Sequence, residues 1–311
     1  MSTQLIIVII FIAVVLIFVA ASLYFYNLAI STHRKPFLAD NDDLVDMGDQ
    51  WKEDEAWFDA QPWQELTQVS YDGLKLNAYF LKTKKPTKRY AVLCHGYTSC
   101  AKWTAGIGRL FHDKMGYNIL MPDDRGHGGS EGSYIGFGWH DRLDIIAWVK
   151  QLIAREGADI EIVLHGISMG GATVCMVSGE ELPPQVKAIV SDCAYTTVQA
   201  EVSYQIKRMY KLPAFPLVHL TSLVCRLRAG YSFEEASAVA QVAKAKVPIL
   251  FIHGGEDTFV PSFMVHELYN HCTSPNDLFL VPTAGHGAAY NVDPMGYEQK
   301  IEEFIAKHTF M

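Results

Sequence analysis

Ser168, His286 and Asp257 are the residues whose types and settings could do covalent chemistry in this chain. Ser168 sits in Leu164-His165-Gly166-Ile167-Ser168-Met169-Gly170-Gly171, a G-x-S-x-G run between a predicted strand and a predicted helix. A sharp strand-to-helix turn crowds the backbone around the serine, and glycines two positions before and after relieve the crowding. The following helix start aims backbone N–H groups at the same place. A serine hydroxyl is a poor nucleophile at neutral pH and needs a base. His286, in Thr283-Ala284-Gly285-His286-Gly287, follows the last predicted strand. Asp257, in His253-Gly254-Gly255-Glu256-Asp257, follows the strand before it. A base held by a carboxylate and presented to a serine is the arrangement for acyl transfer. Glu256, adjacent to Asp257, and Asp192, ending its own strand, compete for the acid's place.

An acyl-transfer oxyanion needs two donors fixed before the reaction. The backbone N–H of Met169 is one candidate. That of Tyr97, in the His95-Gly96-Tyr97 loop after the Ala91–Cys94 strand, is the other. His95 reads as a structural residue whose ring ties this loop down. Asp123-Asp124-Arg125-Gly126-His127-Gly128-Gly129-Ser130 is glycine-rich but lacks the spacing of a phosphate-binding loop. It reads as a tight loop near the pocket, with Arg125 pinning neighbouring backbone; substrate contact by Arg125 or His127 is the other reading.

These residues must be positioned by a sheet. Apolar runs at Tyr90–Cys94, Tyr117–Met121, Glu161–Leu164, Val186–Val190, Ile249–Ile252 and Leu278–Val281 alternate with helical patterns such as Trp103–Met115 and the closing Tyr297–Lys307. One helix carries Leu143, Ile146, Val149 and Ile153 on one face. The alternation predicts an α/β fold with a mainly parallel sheet covered on both faces. A hairpin over Gln68–Tyr71 and Leu74–Lys82, turning at Asp72-Gly73, adds an antiparallel edge. Residues 195–246 separate two strands by far more than a usual connection and read as a lid inserted over the site.

The first 30 residues read as a transmembrane anchor. Leu5 to Phe25 is 21 residues without a charge, enough to span about 30 Å of hydrocarbon. A cleaved signal peptide is the rival, with Ala20-Ala21-Ser22 as a possible site, but no Lys or Arg precedes the run. The cluster His33-Arg34-Lys35 after the span places the remainder on the cytoplasmic face by the positive-inside rule, the extracytoplasmic face staying open. Residues 31–66 form an acidic juxtamembrane linker. Eight acids against one base between Asp40 and Glu55 carry −7 of the net charge of −8. Trp51, Trp57, Phe58 and Trp63 lie there too, on a short helix packed against the domain or as an interfacial belt. Residues 67–311 form the catalytic domain.

The rest of the chain is nearly neutral with no basic stripe, which argues against nucleic acid. The six cysteines form no C-x-x-C pair and no cluster with zinc spacing, so they read as buried free thiols, and no metal or cofactor is expected.

Together, the His-Gly-Tyr, Asp-x-Arg-Gly-His-Gly, Gly-Ile-Ser-Met-Gly-Gly, Gly-Gly-Glu-Asp and Gly-His segments, in that order from Gln68 to Lys307, resemble the α/β-hydrolase superfamily. The chain looks most like its membrane-anchored bacterial esterase and serine-aminopeptidase-like branch. The resemblance implies an eight-stranded, mostly parallel sheet with a variable lid after the sixth strand. It implies catalytic roles for Ser168, Asp257 and His286, with Tyr97 and Met169 at the oxyanion positions. The expected activity is cleavage of carboxylic esters with apolar or lipid-like acyl groups. Tyr204, Met209, Tyr210, Leu212 and Phe215 in the lid favour such groups. Aminopeptidase-like amide hydrolysis is the alternative, with Glu234 and Glu235 as candidates to hold an amine; thioesterase or acyltransferase chemistry and a non-catalytic membrane-tethered binding module are others.

Overall fold

The computed structural model describes residues 2–32, 35 and 48–309. Eight strands form one sheet: β1 (Gln64–Val69), β2 (Lys75–Leu81), β3 (Arg89–Cys94), β4 (Asn118–Pro122), β5 (Glu161–Ile167), β6 (Val186–Asp192), β7 (Ile249–Gly254) and β8 (Asn276–Val281). Their order is β1-β2-β4-β3-β5-β6-β7-β8. The β1–β2 and β2–β4 pairs are antiparallel, and every pair from β4 to β8 is parallel. The antiparallel edge follows from a tight turn in which Gly73 takes φ +92°, a conformation that a side chain would strain.

Central strands covered on both faces must be apolar throughout, and β4 and β7 are buried along their whole length. One core lies between the sheet and the helices α3 (Asp141–Glu156) and α4 (Met169–Ser178). The other lies between the sheet and α2 (Gly48–Asp59), the 101–114 segment and the closing helix, Pro294–Ala306. Each large apolar side chain taken out of water contributes roughly 1.5–3 kcal/mol. The buried face of α3 is Ile145, Trp148, Val149 and Leu152, with Ile146 beside it. The expected stripe is thus rotated, because Leu143 and Ile153 are only half-buried. The predicted helix at Trp103–Met115 is three pieces: a 3-10 turn, a short α-helix and a single π turn. Gly106 and Gly108 lie against Asp54, Trp57 and Met121, so the segment follows its neighbours rather than an ideal helix.

Between β6 and β7 run α5 (Val198–Tyr210), α6 (Leu217–Ala229) and α7 (Ala238–Val242). α1 (Thr3–Ala29) is long and apolar enough to cross a membrane. Most of it is exposed in the isolated chain, but Ser22, Phe25, Tyr26 and Ile30 at its end are buried against the domain. Its end is tied down by Tyr97 Oη donating to Ala29 O (2.7 Å) and by Ile135 N–H donating to Ile30 O (2.7 Å). Lys35 Nζ donates to Ser31 O (2.5 Å) and Asn27 O (3.3 Å), a cation placed at the negative end of the helix. Burial lowers the Lys35 pKa to about 8. His33, Arg34 and the acids at 40–46 lie outside the described residues, and with them most of the charge cluster used to orient the chain.

In the linker, α2 brings Trp57 and Phe58 against Trp63 and Tyr79 in edge and tilted ring contacts. These aromatics therefore pack on the domain. All six cysteines are free, and four of them, Cys94, Cys175, Cys193 and Cys225, are buried.

Candidate active site

The turn from β5 into α4 holds Ser168 at φ +57°, ψ −115°, a strained conformation for a residue with a side chain. Neighbouring bonds over-determine it: Ser168 N–H donates to Asp192 O (2.8 Å), and Ala172 N–H donates to Ser168 O (2.9 Å). The glycines of the motif have physical reasons. A Cβ on Gly166 would overlap the backbone of Gly170, one on Gly170 the carbonyl of Cys94, and one on Gly171 the carbonyl of Asp192.

The loops after β7 and β8 bring Asp257 and His286 to the same edge. His286 Nε2 lies 2.8 Å from Ser168 Oγ, and His286 Nδ1 lies 2.8 Å from Asp257 Oδ2. An ionised carboxylate only accepts, so Nδ1 carries the ring proton and Nε2 is left to accept from the serine hydroxyl. Burial pushes the Asp257 carboxyl up, but hydrogen bonds from His253 and His286 outweigh it and hold the pKa well below the usual carboxylate range. Asp257 Oδ1 also accepts from the N–H groups of Phe259 (2.9 Å) and Val260 (2.8 Å). His253 is a participant that sequence reasoning missed. Its Nε2 donates to Val260 O (2.8 Å) and lies 3.2 Å from Asp257 Oδ2, gripping the acid from behind. The i,i+4 spacing of His253 and Asp257 was its one visible signal.

The competing acids go elsewhere. Glu256 is exposed. Asp192 Oδ2 accepts from Tyr297 Oη (3.0 Å), whose oxygen lies 2.8 Å from His165 Nε2. Burial raises the Asp192 pKa to about 6, against the lowering effect of the Tyr297 bond.

Met169 N–H opens α4, where no preceding turn supplies an acceptor within the helix. Gly96 faces Ser168: a side chain there would stand 3.6 Å from Ser168 Cβ, which puts the 95–97 loop beside the hydroxyl. His95 holds this loop, its Nδ1 bonding Gly96 O (2.8 Å) and its Nε2 accepting from Asp124 N–H (2.9 Å). Burial lowers its pKa to about 4, so the ring is neutral.

Arg125 has a different task from the expected backbone clamp. Fully buried, it bonds Asp144 (Nε, 2.9 Å), Asp72 (Nη1, 2.9 Å) and Tyr134 Oη (2.9 Å). It joins the β1–β2 turn to α3 and reaches no open surface. His127 is also buried, its Nδ1 on Arg125 O (3.0 Å). Substrate contact by either has no support in this geometry.

An apolar cavity beside Ser168 is lined by Tyr97, Phe137, Tyr195, Phe259, Val260 and the α5 residues Val202, Ile206, Met209 and Tyr210. Of the five side chains expected from 195–246, Met209 and Tyr210 line it. Tyr204 instead donates to Thr258 O (2.9 Å), while Leu212 and Phe215 face outward. Glu234 and Glu235 are exposed, away from the cavity. The carboxyl that does line the cavity is Glu201 on α5, which no motif marked. Three residues of α1, Phe25, Leu28 and Ala29, line it as well. A larger cavity of about 510 Å³ borders Ile167, Asp192 and Gly287, but neither Ser168 nor His286 lines it.

Among the described residues, Cys193, Asp257 and His286 place ligand-type atoms within 4.8 Å of one another. Burial holds the Cys193 thiol protonated, and the other two already bond each other, so this donor set suits a proton relay better than a metal.

A family model described as "Serine aminopeptidase, S33" matches residues 85–224, a segment containing Ser168 and ending before Asp257 and His286. The uncharacterized protein YqkD of Bacillus subtilis (strain 168) is 28% identical over 219 residues, 70% of this chain and 72% of its own. The uncharacterized membrane protein YNL320W of Saccharomyces cerevisiae is 24% identical over 252 residues, 80% of this chain and 82% of its own. Among solved structures, the Pyrococcus furiosus esterase Pf2001 superposes with a TM-score of 0.66 at 23% identity, covering 83% of this chain and 96% of that one. With an eight-stranded sheet of this order and a serine elbow after β5, the chain has the α/β-hydrolase fold.

Proposed function

We propose that this chain is a membrane-anchored serine hydrolase that cleaves carboxylic esters with apolar acyl groups. The observation carrying this reading is the continuous line from Ser168 Oγ through the His286 ring to Asp257, each step 2.8 Å, set in the wall of an apolar cavity. His286 Nε2 takes the Ser168 proton as Oγ bonds the ester carbonyl carbon. The carbonyl oxygen becomes an oxyanion, held by the N–H groups of Met169 and Tyr97. Asp257 stabilises the imidazolium, which then protonates the departing alkoxide and leaves an acyl group on Ser168. Water, deprotonated by His286, attacks that carbonyl and releases the acid with the serine restored. The 195–246 segment acts as the lid, since α5 forms one wall of the cavity. The α1 helix is the anchor, supported by its length and composition.

A second reading is hydrolysis of aminoacyl amides, supported by the family description and by the Glu201 carboxyl in the cavity. Burial raises that carboxyl to about 8, a neutral acid at pH 7 that suits an apolar acyl chain better than an ammonium group. Fluorophosphonate labelling tests the main reading: the wild type should be labelled and Ser168→Ala should not. Labelling that survives the substitution, or no labelling of the wild type, refutes it. Comparing p-nitrophenyl acyl esters with aminoacyl anilides separates ester from amide preference.

A further inference from the structure

A helix of 27 residues is about 40 Å long, and the hydrocarbon layer takes about 30 Å of it. Roughly the last two turns of α1 therefore project beyond the hydrocarbon, and these are the turns that dock on the domain. Phe25, Leu28 and Ala29 line the same cavity as Ser168. The Phe25 ring meets Tyr210 of α5 edge-on at 5.1 Å, and Tyr26 lies under Arg228 of α6 at 5.4 Å. Tyr97 connects this helix end to the 95–97 loop directly, since its hydroxyl holds Ala29 O and its backbone N–H is the second oxyanion donor proposed above.

The outer face of α6 continues the pattern. Leu223 and Leu227 are exposed at 53% and 78%, one helical turn apart beside α1, and Phe215 just before the helix is exposed at 73%. Arg226 on α6, Lys207 on α5 and Lys211 just past the end of α5 are exposed as well. Exposed apolar side chains and exposed cations on the same pair of helices suit an interface with anionic lipid headgroups. Next to a membrane span, this face has a bilayer within reach.

We infer that the last two turns of α1 are a wall of the acyl-binding site, and that the substrate is an acyl ester resident in the same bilayer, reaching Ser168 along the seam between α1 and the α5–α6 pair. This rests on the reading of Ser168 as an acyl-transfer nucleophile. A membrane ester can then slide its chain from lipid into the cavity past Phe25 and Leu28 without crossing water. The anchor acts as part of the specificity site as well as a tether.

The test uses the full chain in phosphatidylcholine vesicles, with and without phosphatidylglycerol, and p-nitrophenyl esters of four and twelve carbons. Leu28→Trp should lower the ratio of kcat/KM for the long ester over the short one at least tenfold. Leu16→Trp, on the exposed middle of the span, should keep the wild-type ratio. Phe25→Ala, which vacates space, should move the preferred chain length upward. With a glycerol monododecanoate embedded in the vesicles, the rate should follow its mole fraction in the bilayer and rise with phosphatidylglycerol. A chain-length profile unmoved by both Leu28→Trp and Phe25→Ala, or a rate that follows bulk concentration alone, overturns the inference. If no ester is turned over and Ser168 is not labelled, it is the hydrolase reading that fails. Turnover of esters with an unmoved profile sinks only the anchor's role.

Discussion

Replacing Glu201 by glutamine should remove a pH-dependent weakness from the acyl cavity. The Glu201 side chain is buried; Oε1 accepts from Gln205 Nε2 (2.8 Å), and Oε2 has no hydrogen-bond partner among the described residues. Desolvation raises its pKa from 4.5 to about 8, with the Gln205 bond opposing and the charge of Asp257 assisting. The native carboxyl thus keeps its proton over a range in which the unfolded chain has lost it. Unfolding releases a proton between about pH 4.5 and 8, so the stability this group contributes is full below that window and falls as pH rises through it. At ~1.4 kcal/mol per pH unit, the loss across the window is on the order of 4–5 kcal/mol. Glutamine can still accept from Gln205 and does not titrate. Denaturant unfolding of the full chain in detergent, compared at pH 5 and pH 9, should show the variant gaining a few kcal/mol relative to wild type at the higher pH. The other buried acids are common to both proteins and cancel in that difference. The KM for a dodecanoyl ester should rise above pH 8 in wild type and stay level in Glu201→Gln, because only the wild type places a charge in the cavity. Parallel stability curves for the two proteins would refute the reasoning.

Asp257→Asn should lower kcat about 10³–10⁴-fold, since the amide can no longer hold the ring proton on Nδ1, and steady-state turnover of a butyryl ester measures it. Arg125→Met should lose about 3–5 kcal/mol of stability by leaving Asp144 buried without its partner, read from denaturant midpoints, while the KM of the folded enzyme keeps its wild-type value.

Some of this molecule is legible in its sequence because the causes are local. Gly166 answers a steric demand from Gly170 four residues on, and the elbow is visible for that reason. Buried strands need unbroken apolar runs, so β3 to β7 can be read one by one. An uncharged run from Leu5 to Phe25 shows its length without any partner. His286 and Asp257 stand just past their strands, and a parallel sheet brings such loops to one edge whatever lies between.

Tertiary structure decided what depends on distant neighbours. Asp192 reads like an acid for the histidine until Tyr297, 105 residues later, takes its oxygen. Arg125 looks like a loop clamp until its partners Asp72 and Asp144 come from two other elements. His253 and Glu201 carry no motif, because what matters is the carboxylate that one grips and the solvent that the other has lost. A hydropathy run can announce a membrane helix, but only packing against Tyr97 and Tyr210 puts the end of that helix in the wall beside the serine. Local sterics and periodicity act through neighbours in sequence, whereas burial, ion pairing and cavity shape act through neighbours in space.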